Sequence, residues 1–121
     1  MCGIAGMFSP GSDKLVPVVG KMVEALHHRG PDDSGIWTEE RVGLALGHAR
    51  LSILDLSGAG HQPMHSANGR YVVTFNGEIY NFKSLRADLE NLGHGFRGHS
   101  DTEVLLAAVS QWGLEHALSR F

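Results

Sequence analysis

Residues 42–54 read VGLALGHARLSIL, and this stretch decides what kind of sheet the chain can build. Its apolar residues fall on both faces of a strand, Leu44, Leu46 and Leu54 against Leu51 and Ile53. A sheet with one face in water alternates apolar with polar residues, so a strand apolar on both faces predicts a sheet covered on both sides. One charge interrupts the pattern, Arg50. An arginine inside a strand is usually an edge residue snorkelling to water. Its functional alternative is a bidentate clamp on a carboxylate.

Working outward, residues 2–8 predict a short strand ended by the turn cluster Ser9-Pro10-Gly11-Ser12. Asp13 or a neighbour can then cap a helix through Val16, Val19, Met22, Val23 and Leu26, which recur at helical spacing. His27, His28 and Arg29 suit the negative end of that helix, and Gly30-Pro31 stops it. A strand is expected near Gly35–Thr38, a polar Gly-rich loop over 57–69, SGAGHQPMHSANG, and another strand over Tyr71–Phe75. Asn81 can cap a helix carrying Phe82, Leu85, Leu89 and Leu92, closed by Gly93. Ser100-Asp101-Thr102-Glu103 reads as a capping box opening a helix through Trp112, with Gly113 after it. There is no internal repeat, linker or low-complexity segment, and the class is mixed α and β with a substantial sheet.

With 121 residues, 42% hydrophobic and 19% charged, the chain is one domain or part of one in the ordinary globular range. A net charge of -3 favours neither nucleic acid nor an anionic membrane as partner. No apolar stretch approaches the roughly 20 residues of a membrane span, and the start lacks a signal peptide's charge pattern. A cytoplasmic location is therefore expected, in keeping with a single cysteine that cannot form an internal disulfide. The 16 glycines are close to twice what average usage of about 7% would supply, which implies tight turns and close backbone approaches. The eight histidines lack the spacings metal sites prefer, and no metal is expected.

Besides the Arg50 stretch, four more can carry chemistry. The chain opens MCGIAGMF, with its only cysteine at position two. A small residue there permits removal of Met1, which would leave Cys2 with a free α-amine of unperturbed pKa about 7.7–8.0. Nucleophile and base would then share one residue. The incidental reading is a small second residue with no chemical role. In FNGEIYN (75–81) the bland reading is an Asn-Gly type I′ hairpin turn. The sharper one takes the Asn76 side-chain amide and the Gly77 backbone N–H as an oxyanion hole. In GHSDTE (98–103) Asp101 suits a helix N-terminus, or can hold a ligand's ammonium, with Glu78 beside it as a second candidate. In HHRGPDDSG (27–35) Arg29 and Asp32 can pair across a turn. An amino acid with a side-chain amide would use all of these: a carboxylate for Arg50, an ammonium for Asp101 and Glu78, and a carbonyl for the thiol.

CGIAGMF, HRGPDDSG, GHARLSILDL, FNGEIYN and GHSDTEVLL occur in this order and resemble the glutaminase half of glutamine-hydrolysing asparagine synthetases of the bacterial B type. That half is a class II glutamine amidotransferase domain with an N-terminal cysteine nucleophile, and the resemblance covers nearly the whole chain. It implies an α+β, four-layer αββα sandwich of the N-terminal-nucleophile hydrolase type, here a partial copy over residues 2–121. It also implies that Cys2 is the nucleophile forming a glutamyl thioester and that Asn76 and Gly77 form the oxyanion hole. Arg50 then binds the glutamine α-carboxylate. Asp101 and Glu78 surround the α-amino group, and Leu51, Ser52, Ile53 and Leu54 line the pocket through backbone atoms. No cofactor is expected within this segment. ATP and Mg2+ are expected for a synthetase domain that this sequence does not contain, which would amidate aspartate with the released ammonia. Other carboxylate acceptors, an amino-acid-binding module that retains Met1, and an inactive fragment stay open as alternatives. An incomplete sheet would leave an edge and an apolar face uncovered, so instability or self-association, a homodimer included, is expected of the isolated segment.

Overall fold

The computed structural model describes residues 1–53 and 55–121, so the expectation for Leu54 lies outside the described residues. The chain forms two compact units. The first contains residues 1–53, 61–63 and 74–76, and the second residues 55–60, 64–73 and 77–121.

The first unit is an antiparallel sheet with one helix on it. The strands are β1 (Gly3–Phe8), β2 (Asp33–Glu39) and β3 (Leu44–Arg50), ordered β1-β3-β2. The register pairs Gly3 with Ala49 and Phe8 with Leu44 on one side, and Asp33 with Arg50 on the other. The helix α1 (Leu15–Ala25) buries Leu15, Val19 and Val23, which form one core with Ala45 and Ala49 of β3. The β3 residues on this face, Ala45, Gly47 and Ala49, are all small. At Gly47 even a methyl would lie 2.5 Å from Val23 Cγ2 and 2.7 Å from Val19 Cγ1, so the missing side chain is what lets the helix seat this closely.

Period-2 alternation puts Leu44, Leu46, His48 and Arg50 on the opposite face. Its last two residues, His48 and Arg50, are buried, so cover on both sides holds for that end of β3. The second cover comes from loop segments, since a Cβ at Gly35 would run into the Gln62 carbonyl oxygen and the His61 ring. On the same face of β1, Ile4 beside His48 and Phe8 beside Leu44 are exposed.

Several predicted boundaries shift, each for a visible reason. The strand expected to run to Leu54 ends at Arg50, because side chains take over the next backbone groups: the Leu51 N–H points at Cys2 Sγ and the Ser52 N–H at the Asp32 carboxylate. The α1 N-cap falls on Lys14, the neighbour of Asp13, without a side-chain cap. The helix ends at Leu26, where His28 Nδ1 donates to the Ala25 carbonyl at 3.0 Å, so Gly30 is not its stop. A Cβ at Gly30 would collide with the Ala49 carbonyl and approach the Arg50 carbonyl carbon at 2.6 Å. Gly30 is there because the β3 backbone passes against it.

The second unit packs α2 (Phe82–Asn91) on α3 (Asp101–Trp112), followed by α4 (Leu114–Leu118), with a two-stranded antiparallel ribbon of β4 (Met64–His65) and β5 (Val72–Val73). Leu85, Leu89, Val104, Leu106, Ala108 and Val109 are buried. The loop expected over 57–69 therefore contains a 3-10 turn at Gly58–Gly60 and strand β4. The strand expected over 71–75 shrinks to β5. Ser100 caps α3 by accepting from Thr102 N–H at 3.0 Å. The capping box is not closed, because the Glu103 carboxylate accepts from the Arg97 and Gly98 N–H groups at 3.0 and 2.8 Å. Asn81 does not cap α2 through its side chain, which instead donates to the Arg120 carbonyl at 2.7 Å. The architecture is mixed α+β, built on antiparallel sheets.

Candidate active site

Cys2 stands at the start of β1, and β1 is what holds it. Pairing of Gly3 with Ala49 brings the residue before Gly3 to the end of β3. There the Leu51 N–H donates to Cys2 Sγ at 3.3 Å, and Sγ lies 3.6 Å from the Leu51 carbonyl oxygen. The Arg29 Nε donates to the Cys2 carbonyl at 3.1 Å. That bond replaces the expected ion pair: among the described residues Arg29 does not pair with Asp32. Asp32 serves the same corner differently, donating its N–H to the Arg50 carbonyl at 3.0 Å and accepting from Ser52 N–H at 2.7 Å. The HRGPDD loop thus clamps the chain on both sides of the thiol. A terminal thiol that would otherwise fray is fixed by three backbone-directed contacts.

Arg50 ends the middle strand and is only 7% exposed. The snorkelling edge reading is therefore wrong, since an edge residue would reach water. A guanidinium kept this far from solvent costs free energy unless charge or hydrogen bonds answer it.

Asn76 follows a segment pinned by side chains. The Phe75 N–H donates to Gln62 Oε1 at 2.7 Å, and Thr74 Oγ1 donates to the Gly47 carbonyl at 3.3 Å. No described non-glycine residue has positive φ. A type I′ turn at Asn76-Gly77 would need one at Asn76, so the hairpin reading fails. In the second unit Gly77 and Glu78 are exposed. Buried Asp101 accepts from the Ile79 N–H at 3.0 Å. Ser100 being the cap, Asp101 is the first helical residue, and one of its oxygens fixes the backbone just after Glu78.

Cys2, Arg50, Leu51, Ser52, Ile53 and Asn76 thus lie in the first unit, and Gly77, Glu78 and Asp101 in the second. Among the described residues no group of three or more His, Cys, Asp or Glu side chains could hold a metal ion, and no helix is long and apolar enough to cross a membrane.

The glutamine amidotransferase domain family matches residues 1–121, the full length of this sequence. The chain belongs to that family. The amidotransferase chain is 40% identical over 116 residues to asparagine synthetase [glutamine-hydrolyzing] 3 of Bacillus subtilis, covering 93% of this chain and 18% of the relative. It is also 40% identical over 124 residues to asparagine synthetase [glutamine-hydrolyzing] 1 of the same organism, covering 97% and 19%. Amidase chry2 of Gibberella zeae is 36% identical over 125 residues, covering 94% and 18%. The amidotransferase chain therefore spans less than a fifth of the length of these relatives.

The sequence reading missed His48, Thr74 and Gln62. His48 is fully buried, its Nδ1 2.9 Å from Thr74 Oγ1. Its signal was available: a histidine two residues before Arg50, on the same strand face and flanked by Gly47 and Ala49. Burial, seconded by the Arg50 charge, pushes the His48 pKa down from 6.5 to about 4. An unfolded chain binds this proton near pH 6.5 and the folded one does not, so His48 makes stability rise with pH between about 4 and 6.5. Its share is complete above pH 6.5 and amounts to roughly 3 kcal/mol lost by pH 4. Urea unfolding of the parent and His48→Gln at pH 7 and pH 4.5 checks this, and the parent is expected to lose more stability on acidification than the variant. An equal loss would show that His48 does not carry it.

Proposed function

We propose that this domain hydrolyses L-glutamine through Cys2 and supplies the ammonia for amidation of aspartate. The observation that carries the reading is the fixed thiol: Cys2 Sγ held against the Leu51 N–H, one residue from the buried Arg50. Met1 is 72% exposed, open to an aminopeptidase, and its removal gives Cys2 a free α-amine. That amine takes the thiol proton as sulfur attacks the side-chain carbonyl carbon of glutamine. The oxyanion is held by the Asn76 side-chain amide and the Gly77 N–H. Collapse breaks the C–N bond, the amine returns its proton to the leaving nitrogen, and ammonia departs from a glutamyl thioester. Water then cleaves the thioester to glutamate and regenerates the thiol. Arg50 takes the α-carboxylate, Glu78 and Asp101 the α-ammonium, and the backbone of Leu51, Ser52 and Ile53 the wall.

The resemblance supports a four-layer αββα architecture for the complete domain and a cytoplasmic setting. It also supports an ATP- and Mg2+-dependent activation of the acceptor, carried out by residues other than those described. The aspartate acceptor rests on the likeness to the Bacillus asparagine synthetases. The similarity to amidase chry2 keeps a different acceptor as the second reading.

Arg50→Ala tests the clamp. KM for glutamine is expected to rise about 100-fold, the loss of a charge-assisted bidentate contact of roughly 3 kcal/mol, while synthesis from added ammonia changes little. Equal loss of both activities would mean that Arg50 supports the fold and not the substrate.

A further inference from the structure

We infer that His48 and Thr74 form a positioning relay that sets the Asn76 side chain relative to the strand carrying Arg50. The inference rests on the roles proposed above for those two residues. Residues 74–76 pair with no strand, so side-chain bonds fix their place. Thr74 Oγ1 is 2.9 Å from His48 Nδ1 and 3.3 Å from the Gly47 carbonyl oxygen. A hydroxyl has one proton. Donating it to Gly47 leaves oxygen lone pairs to accept from His48, which assigns the neutral Nδ1–H tautomer. The other tautomer would leave Nε2–H as a buried donor without an acceptor, because Nε2 has no partner among the described residues. Burial disfavours the protonated ring, which would still donate from Nδ1 but would add a charge and a second N–H at Nε2, where no acceptor lies among the described residues.

A plain core requirement does not explain the pair. Apolar residues of similar shape would fill the space without leaving Nε2 unsatisfied, yet a buried histidine sits on the strand face that ends in Arg50. From Thr74 to Asn76 the backbone spans at most about 7 Å, so a displacement at the hydroxyl reaches the oxyanion donor. Misplacement by about 1 Å can cost on the order of 100-fold in rate. The relay therefore couples the proposed carboxylate clamp to the proposed oxyanion hole through three atoms: Nδ1, Oγ1 and the Gly47 oxygen.

The test uses the protein with Met1 removed and compares Thr74→Val, which keeps the shape and deletes the hydroxyl, with Thr74→Ser, which restores it. Thr74→Val is expected to lower kcat for glutamine about 10- to 100-fold while KM changes less than about threefold. The Asn76 side-chain amide signal should move in its 15N–1H spectrum, and alkylation of Cys2 by iodoacetamide should proceed at the parental rate. Thr74→Ser should recover most of kcat and the parental signal. If Thr74→Val does not fold, His48→Asn, whose amide nitrogen reaches the Nδ1 position, is compared with His48→Gln, whose amide lies near Nε2. Only the former should keep kcat. A folded Thr74→Val with parental kcat and an unmoved Asn76 signal overturns the relay, as does a His48 imidazole protonated only at Nε2. A parent that does not hydrolyse glutamine overturns the proposed function instead, and the Asn76 signal then decides the relay alone.

Discussion

Cys2→Ala is expected to lose glutamine hydrolysis by at least about a thousandfold in kcat, with little change in stability. The cost is chemical because no other group replaces the sulfur: Cys2 is the only cysteine. Arg29 on the Cys2 carbonyl and Asp32 on the Ser52 N–H act on backbone atoms, and alanine leaves those bonds in place; only the part-buried contacts between Sγ and the Leu51 backbone are lost. Cys2→Ser retains the size of the residue but substitutes a hydroxyl, intrinsically a weaker nucleophile than the thiol near neutral pH. Glutamate release, measured alongside thermal unfolding, separates chemistry from folding. A Cys2→Ala protein with a tenth or more of parental activity would mean that the nucleophile lies elsewhere.

The second large effect is on the fold. Gly30→Val should destabilise the protein by about 3 kcal/mol or more, because its Cβ meets backbone and not a movable side-chain tip. The atoms it strikes belong to Ala49 and Arg50, the last two residues of the middle strand. Relief requires moving that strand end, and with it Leu51, whose N–H faces the thiol. Reduced stability should therefore come with a lowered rate of thiol alkylation in whatever fraction remains folded. Urea unfolding and labelling of the same preparation check both. A Gly30→Val protein of parental stability would show that the loop can lift from β3 without cost.

The elements legible in the sequence were those written in local chemistry. Val16, Val19, Met22, Val23 and Leu26 recur at helical spacing, Ser100 precedes an apolar run, and Gly3–Phe8 is short and apolar, so α1, α3 and β1 could be placed, although Val16 and Met22 prove exposed and Leu15 takes the buried place. Boundaries failed where a distant side chain took over a backbone group. Nothing in residues 51–54 says that Cys2 and Asp32 will terminate the strand. Nothing near Phe75 says that Gln62 will occupy its N–H. Asn81 and Glu103 have the residue types for caps, but longer-range acceptors and donors outcompeted the local ones.

The same division holds for the site. Cys2 and Arg50 were visible as chemically unexpected types at their positions, and Asp101 as an acidic residue that also suits a helix N-terminus. Their burial and partners were not, so the hairpin reading of Asn76-Gly77 and the edge reading of Arg50 stood until the backbone conformation and strand order excluded them. His48 escaped because a histidine in an apolar strand invites a question about metals before one about hydroxyls.

The most direct test is the intact mass of the full-length protein after treatment with a glutamine-mimicking diazoketone. The account predicts loss of Met1, a single adduct localised to Cys2, and no adduct in Cys2→Ala. Met1 retained in a protein that still hydrolyses glutamine, or labelling that survives Cys2→Ala, would contradict it.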